Sequence, residues 1–176
     1  MQHAIETELK MILTREQFNK LLSFYQPIRF VKQVNTYYKN NNSSHYAFRI
    51  REKEGRTLFT LKQKTDDGVM EYEKYLNCPI EEDEDVVRTL NDFNVHQPYE
   101  ILGTLVTYRA MYCDELAELC FDINLYNGIT DYEVEYEIKK EHDYESAFIS
   151  ILNKADIKYV PNKISKYKRF ANSVNY

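Results

Sequence analysis

Glu6-Thr7-Glu8-Leu9-Lys10 and Arg49-Ile50-Arg51-Glu52-Lys53 each place three charged side chains on alternate positions of an extended segment. In a β-strand every second side chain points to the same face, so each triplet lines one side of a sheet. The habit recurs along the chain: Lys62 with Lys64, Glu71 with Glu73, Glu118 with Asp122, and Glu133 with Glu135 and Glu137, with Arg109 on a further strand. The positions between them are mostly apolar, as in Ile5, Leu9 and Met11, or Phe48 and Ile50. An ordinary half-buried sheet turns a mixed polar face to water, where Ser, Thr, Asn and Gln should appear freely. Here the alternate positions are charged, in both signs, strand after strand. If these faces turn inward in a closed sheet, they line a lumen. Moving so many ions into a dry interior would cost on the order of several kcal/mol each. Such a lumen is therefore wet, or filled by a ligand and metal ions that pair with the charges.

Working outward, residues 4–12 alternate strictly, and Thr14-Arg15-Glu16-Gln17 reads as a capping box opening a helix with Phe18, Leu21, Leu22 and Tyr25 on one stripe, closed by Pro27. Strands are expected over 29–39, 46–54, 56–65 and 69–77, with a polar loop from Asn40 to Ser44, a turn at Glu54-Gly55 and a hairpin at Asp67-Gly68. The acidic run Glu81 to Asp85 reads as a solvated helix start that complements the helix dipole, ahead of Val86, Leu90 and Phe93. After Pro98 and a short helical turn come strands at 104–113, 116–126 and 130–140, with Asn127-Gly128 marking a second hairpin. A helix follows over 143–155, and a tail over 161–176 is basic around Lys163, Lys166, Lys168 and Arg169. The fold class is mainly β (α+β): a closed eight-stranded antiparallel barrel with a charged lumen, flanked by about three to five helices that cover its apolar outside.

At 176 residues the chain is expected to form one domain, 1–176, burying roughly 70% of its unfolded surface. The net charge of −5 argues against nucleic acid as a partner, because no basic surplus exists to release counterions. Cys78, Cys113 and Cys120 are odd in number and lack any C-x-x-C, so neither a disulfide framework nor a zinc knuckle is indicated. His3, His45, His96 and His142 have no metal-ligand spacing and read as surface residues. The amino terminus has no apolar signal core, and no run approaches the ~18 apolar residues of a membrane span. The expectation is a cytoplasmic protein without a membrane partner.

The E-x-E-x-K strand at Glu6 to Lys10, followed in order by an R-x-R strand, a K-x-K strand and a carboxylate-rich late strand, resembles the CYTH superfamily, the triphosphate tunnel metalloenzymes. The resemblance covers essentially the whole chain and is closest to the small stand-alone bacterial members labelled as adenylate cyclases or triphosphatases. It implies a tunnel that binds a triphosphate with basic residues and Mg²⁺ or Mn²⁺ with glutamates. Carried over position by position, it gives Glu6, Glu8, Asp122, Glu133, Glu135 and Glu137 as metal-side carboxylates. Lys10, Arg49, Arg51, Lys62, Lys64 and Arg109 become phosphate-side cations. Glu71 and Glu73 match an acidic pair on the fifth strand, and Lys163 and Lys166 match a basic element that closes on substrate in some members. One departure stands out: where some relatives carry an arginine before that acidic pair, this chain has Val69 and Met70, so one phosphate contact is either missing or supplied by Arg29, Lys32 or Lys53.

The chemistry this implies is metal-dependent hydrolysis of inorganic tripolyphosphate or a nucleoside triphosphate, with Glu133 or Glu135 taking the proton of the attacking water. A class IV-like adenylate cyclase uses the same tunnel with a ribose hydroxyl as nucleophile. A non-catalytic module that binds polyphosphate or a nucleotide is the reading from another class. Thiamine triphosphate is disfavoured as substrate, because the members specialised for it use a tryptophan and this chain has none. The small relatives imply a monomer or homodimer.

Overall fold

The computed structural model describes residues 1–25, 29–40, 46–66 and 68–174. Expectations placed on Pro27, on 41–45 and on Asp67 lie outside the described residues. Along the chain run β1 (Gln2–Glu6), β2 (Glu8–Leu13), α1 (Arg15–Leu22), β3 (Val31–Tyr38), β4 (Tyr46–Lys53), β5 (Arg56–Thr65) and β6 (Gly68–Leu76). There follow α2 (Glu84–Asp92), β7 (Ile101–Cys113), β8 (Ala117–Tyr126), β9 (Ile129–Ile138), α3 (Tyr144–Asn153) and α4 (Lys166–Val174). All nine strands belong to one antiparallel sheet, ordered β1-β6-β5-β4-β3-β7-β8-β9-β2.

The two end strands of that sheet are successive pieces of one segment. β1 pairs with β6, Glu6 opposite Val69, and β2 pairs with β9, Glu8 opposite Glu137, with only Thr7 between them. The sheet curls until a single residue bridges its edges, and the Thr7 carbonyl accepts from the Ile138 N–H at 3.0 Å. Joining the edges through the chain leaves little of the unpaired strand border that invites aggregation. The expectation of eight strands is thus corrected in number: the strand foreseen over 4–12 breaks at Thr7 so that each half can serve a different neighbour. The helical turn foreseen after Pro98 is likewise replaced by an earlier start of β7, at Ile101.

Helix starts follow local chemistry. Thr14 and Gln17 form the reciprocal capping box of α1, and the side chains of Asp83 and Asp143 accept from Val86 and Ser146 N–H groups to open α2 and α3. Two apolar layers then cover the outer face of the sheet. Phe18 and Leu21 of α1 and Phe148 and Leu152 of α3 pack on Met11, Phe121 and Val134. Val86 and Leu90 of α2 pack on Phe48, Phe59 and Leu61. Each such side chain contributes about 1.5–3 kcal/mol when fully buried. A one-residue slip would turn these side chains inward and the charges outward, so the outer layers fix the register of the inner face.

The basic tail is not a solvated end. Its helix α4 packs on the inner face, where fully buried Phe170 meets Tyr37, Leu105 and Tyr126. Those three share a face with Asn35, Thr107 and Asn124 by strand alternation. Gly103, on the same face, has φ +154°, and a β-carbon there would lie 2.9 Å from Phe170 Cζ. The glycine is what lets the ring approach. Among the described residues no helix is long and apolar enough to cross a membrane. Gly103→Ala is expected to lower unfolding stability by about 1–3 kcal/mol, from backbone strain and overpacking against Phe170. Urea denaturation checks this, and unchanged stability would mean α4 is not held there.

Candidate functional site

One wall of the bore is acidic and comes from β1, β2, β8 and β9. Glu6, Glu8 and Glu137 form a triad whose carboxylate oxygens lie within 4.8 Å of one another, and Asp122, Glu133 and Glu135 form a second. Strand pairing creates both: Glu8 stands opposite Glu137, and Asp122 opposite Glu133. The second triad is buried, with Asp122 and Glu133 fully inaccessible. Arg109 holds it from β7, donating to both Asp122 oxygens at 2.7 Å, to Glu137 at 3.0 Å and to Glu135. This fork is the strong, bidentate kind of ion pair. Lys166 pairs with Asp122 and lies 3.5 Å from Glu133 and 3.3 Å from Glu135. Arg169 donates to Glu133 at 2.8 and 3.0 Å and to Asp131 at 2.9 Å.

The other wall is cationic and comes from β3, β4 and β5. Arg49 donates to the Tyr37 hydroxyl at 3.3 Å, and Arg51 Nε donates to Asn35 Oδ1 at 2.9 Å. Among the described residues neither guanidinium has an ion-pair partner within 4.0 Å, and Arg49 Nε is buried without any hydrogen-bond partner. Lys62 joins the walls, pairing with Glu6 and, at 3.3 Å, with Glu71. Lys10 pairs with Glu8. Glu73 accepts from Thr60 at 3.1 Å.

The site's electrostatics follow from this division. Burial pushes Glu8 up to about 7, reinforced by the Glu135 charge and only partly offset by Lys10. Burial also raises the Glu71 and Glu137 carboxyls, despite Lys62 and Arg109. For Asp122 and Glu135 burial pulls the same way but loses: Arg109 and Lys166 hold Asp122 below its usual range, and Lys166 and Arg109 hold Glu135 well below. Arg51 falls to about 10, through burial first and then the neighbouring Arg49 and Arg109 charges. Half-buried Glu6, Glu8 and Glu137 therefore crowd one wall, and the half-buried Arg49 and Arg51 guanidiniums on the other make no ion pair within 4.0 Å among the described residues.

The structure brings together Glu6, Glu8, Lys10, Arg49, Arg51, Lys62, Glu71, Arg109, Asp122, Glu133, Glu135, Glu137 and Lys166, all inner-face or α4 residues with little exposure. Lys64 lies exposed near the end of β5, and Lys163 lies exposed before α4. Of the three substitutes for the absent arginine, Arg29 pairs with Glu54 among exposed residues and Lys32 is exposed, while half-buried Lys53 sits opposite buried Gln33. Cys120, on the same parity as Asp122, is buried and free, its thiol pushed up by burial. Four contributors escaped the sequence reading: Asn35, Tyr37, Asp131 and Arg169. The first two share one parity of β3, a signal hidden because they carry no charge. Arg169 lay in view as part of a basic tail, but only the helix places it three residues after Lys166, on the same side.

A curled antiparallel sheet with acidic triads on one wall, half-buried guanidiniums on the other and a helix across the inner face defines a tunnel-type domain built around an ionic bore. The chain belongs to the CYTH domain family, whose pattern matches residues 4–171. It is 29% identical to the Bacillus subtilis protein named "Putative triphosphatase YjbK", covering 95% of this chain and 96% of that one. Among solved structures it is similar to a "putative adenylate cyclase" of Bacillus halodurans, 32% identical over 97% of this chain and 99% of that one, with a TM-score of 0.84. It also shares its fold with "Putative adenylyl cyclase HpAC1" from Hippeastrum, 22% identical over 96% of both chains, TM-score 0.80.

Because Glu8 holds its proton more tightly folded than unfolded, it favours folding at low pH, and that contribution is lost as pH rises from the ordinary carboxylate range through about 7. Asp122 and Glu135 act the opposite way, with their stabilisation lost only as pH falls through their depressed values. In metal-free buffer, Glu8→Gln is expected to gain stability relative to the unsubstituted chain between about pH 5 and about pH 8, by on the order of 2 kcal/mol. Parallel stability curves for the two proteins would show that Glu8 is not buried among carboxylates.

Proposed function

We propose that the chain is a divalent-metal-dependent triphosphate phosphohydrolase acting on inorganic tripolyphosphate or a nucleoside triphosphate in the bore. The observation that carries this is the half-buried Arg49–Arg51 pair, without an ion-pair partner among the described residues and with Arg49 Nε buried and unbonded, on the wall away from the acidic triads. A triphosphate offers about four negative charges in a row, and its hydrolysis needs positioning and charge neutralisation more than covalent chemistry from the protein. Mg²⁺ and Mn²⁺ take oxygen ligands and often keep waters. The all-oxygen donor set of Glu6, Glu8 and Glu137 fits that preference. A metal ion bound there would supply charge neutralisation to the phosphate oxygens.

The chain's own residues do the rest. Arg49 and Arg51 grip successive phosphates with planar forks already oriented by Tyr37 and Asn35. Lys10 and Lys62 add movable charges beside the acidic wall, and half-buried Lys53 extends the cationic row. Glu133 and Glu135 take a role in holding cations rather than in accepting the proton of the attacking water. Lys166 and Arg109 hold the Glu135 carboxyl well below its usual range, which makes it a poor proton acceptor, and Glu133 is occupied by the Arg169 fork. A triphosphate substrate is supported by the triphosphatase name of the Bacillus subtilis relative, and tripolyphosphate and ATP are the ones to test first.

Phosphate release from both, with Mg²⁺ or Mn²⁺ and with chelator, tests the reading. Chelation is expected to abolish release and either ion to restore it. Arg51→Ala is expected to lower kcat/KM by about 10²-fold, the loss of a charge-assisted contact, with partial recovery in Arg51→Lys. Cyclic AMP is measured beside phosphate, since two of the similar structures carry cyclase names. Release of neither product with any ion, or equal rates for Arg51→Ala and the unsubstituted chain, would refute the proposal.

A further inference from the structure

The two triads differ in what already stands among their carboxylates. Lys166 Nζ lies among all three members of the buried one, paired with Asp122 and within 3.5 Å of both Glu133 and Glu135. An ammonium carries three donors and no acceptor, and this one donates a hydrogen bond to Asp122 and forms ion pairs with Glu133 and Glu135. Arg109 and Arg169 flank the same group, so that three cations oppose three anions. The Glu6/Glu8/Glu137 triad has no such centre among the described residues. Lys62 reaches Glu6 and then turns to Glu71, Lys10 reaches only Glu8, and Arg109 touches Glu137 from the side.

Lys166 is also not free to drift. It opens α4, and one turn further on Phe170 is fully buried between Tyr37 and Tyr126 with its ring against Gly103. Asn162, just before the helix, donates its backbone N–H to the Lys10 carbonyl at 3.0 Å and its amide to Glu133 at 3.2 Å. The segment on both sides of the lysine is thus pinned to the bore. A divalent ion among Asp122, Glu133 and Glu135 would share one small space with a fixed ammonium, and like charges at that range exclude one another.

We infer that Lys166 is the resident cation of the buried triad, standing where a second divalent ion would otherwise bind. The chain then takes one divalent ion, at Glu6, Glu8 and Glu137, and the buried triad admits another only when Lys166 is withdrawn or removed. This rests on reading the bore as a metal site, and it makes α4 a structural part of the cation set.

Counting bound Mn²⁺ on the full chain, by the loss of the free-ion paramagnetic resonance signal, tests it without reference to turnover. One Mn²⁺ per unsubstituted chain is expected, rising to two in Lys166→Met and in Lys166→Gln and staying at one in Lys166→Arg. Two ions of similar affinity on the unsubstituted chain would overturn the inference, and this measurement needs no variant to fold. A count that stays at one in whichever uncharged variant keeps a cooperative thermal transition would overturn it as well. No bound Mn²⁺ on the unsubstituted chain would instead overturn the metal-binding reading of the bore, an outcome distinct from a count of two.

Discussion

A buried charge must find a counter-charge, and that constraint organises this protein. Strand alternation sends every second residue of the sheet inward, and in this chain many of those residues are ionic. The outer apolar layers under α1, α2 and α3 stabilise the register and leave the charges no route to bulk water except through the ends of the bore. Inward charges are matched by neighbours, as Arg109 is by Asp122, or held by uncharged partners alone, as Arg49 and Arg51 are by Tyr37 and Asn35 among the described residues. The fold supplies the mismatch and the proposed function uses it.

The division of the carboxylates into a neutralised set and an exposed need has a structural origin. Asp122, Glu133 and Glu135 face β7 and α4, which bring Arg109, Lys166 and Arg169. Glu6, Glu8 and Glu137 sit where β1 gives way to β2 at Thr7, the seam at which the sheet turns back on itself. Burying those carboxylates close together without enough cations is unfavourable for the empty protein. Binding sites accept such local instability because the ligand relieves it.

Much of this was legible in the sequence, because parity survives translation into structure whenever both faces of a strand are chemically distinct. Glu6 to Lys10, Arg49 with Arg51 and Glu133 to Glu137 announced their shared faces without any knowledge of the turns between them. The break at Thr7 was not legible, since alternation is the same whether a strand pairs with one neighbour or passes from β6 to β9. The tail misled for a different reason. Lys163, Lys166, Lys168 and Arg169 read alike as basic residues, yet helical spacing and the burial of Phe170 send Lys166 and Arg169 inward and leave Lys163 and Lys168 exposed. Uncharged partners such as Tyr37 and Asn35 gave no signal because their importance lies in which guanidinium they hold.

The most direct measurement is a crystal structure of the chain with Mn²⁺ and a slowly hydrolysed triphosphate analogue, with manganese located by its anomalous scattering. Manganese coordinated by Glu6, Glu8 and Glu137, with phosphate oxygens against Arg49 and Arg51, is the expected result. Manganese and analogue bound on the outer surface, with Arg49 and Arg51 left without an anion, would contradict the assignment of the bore as the site of chemistry.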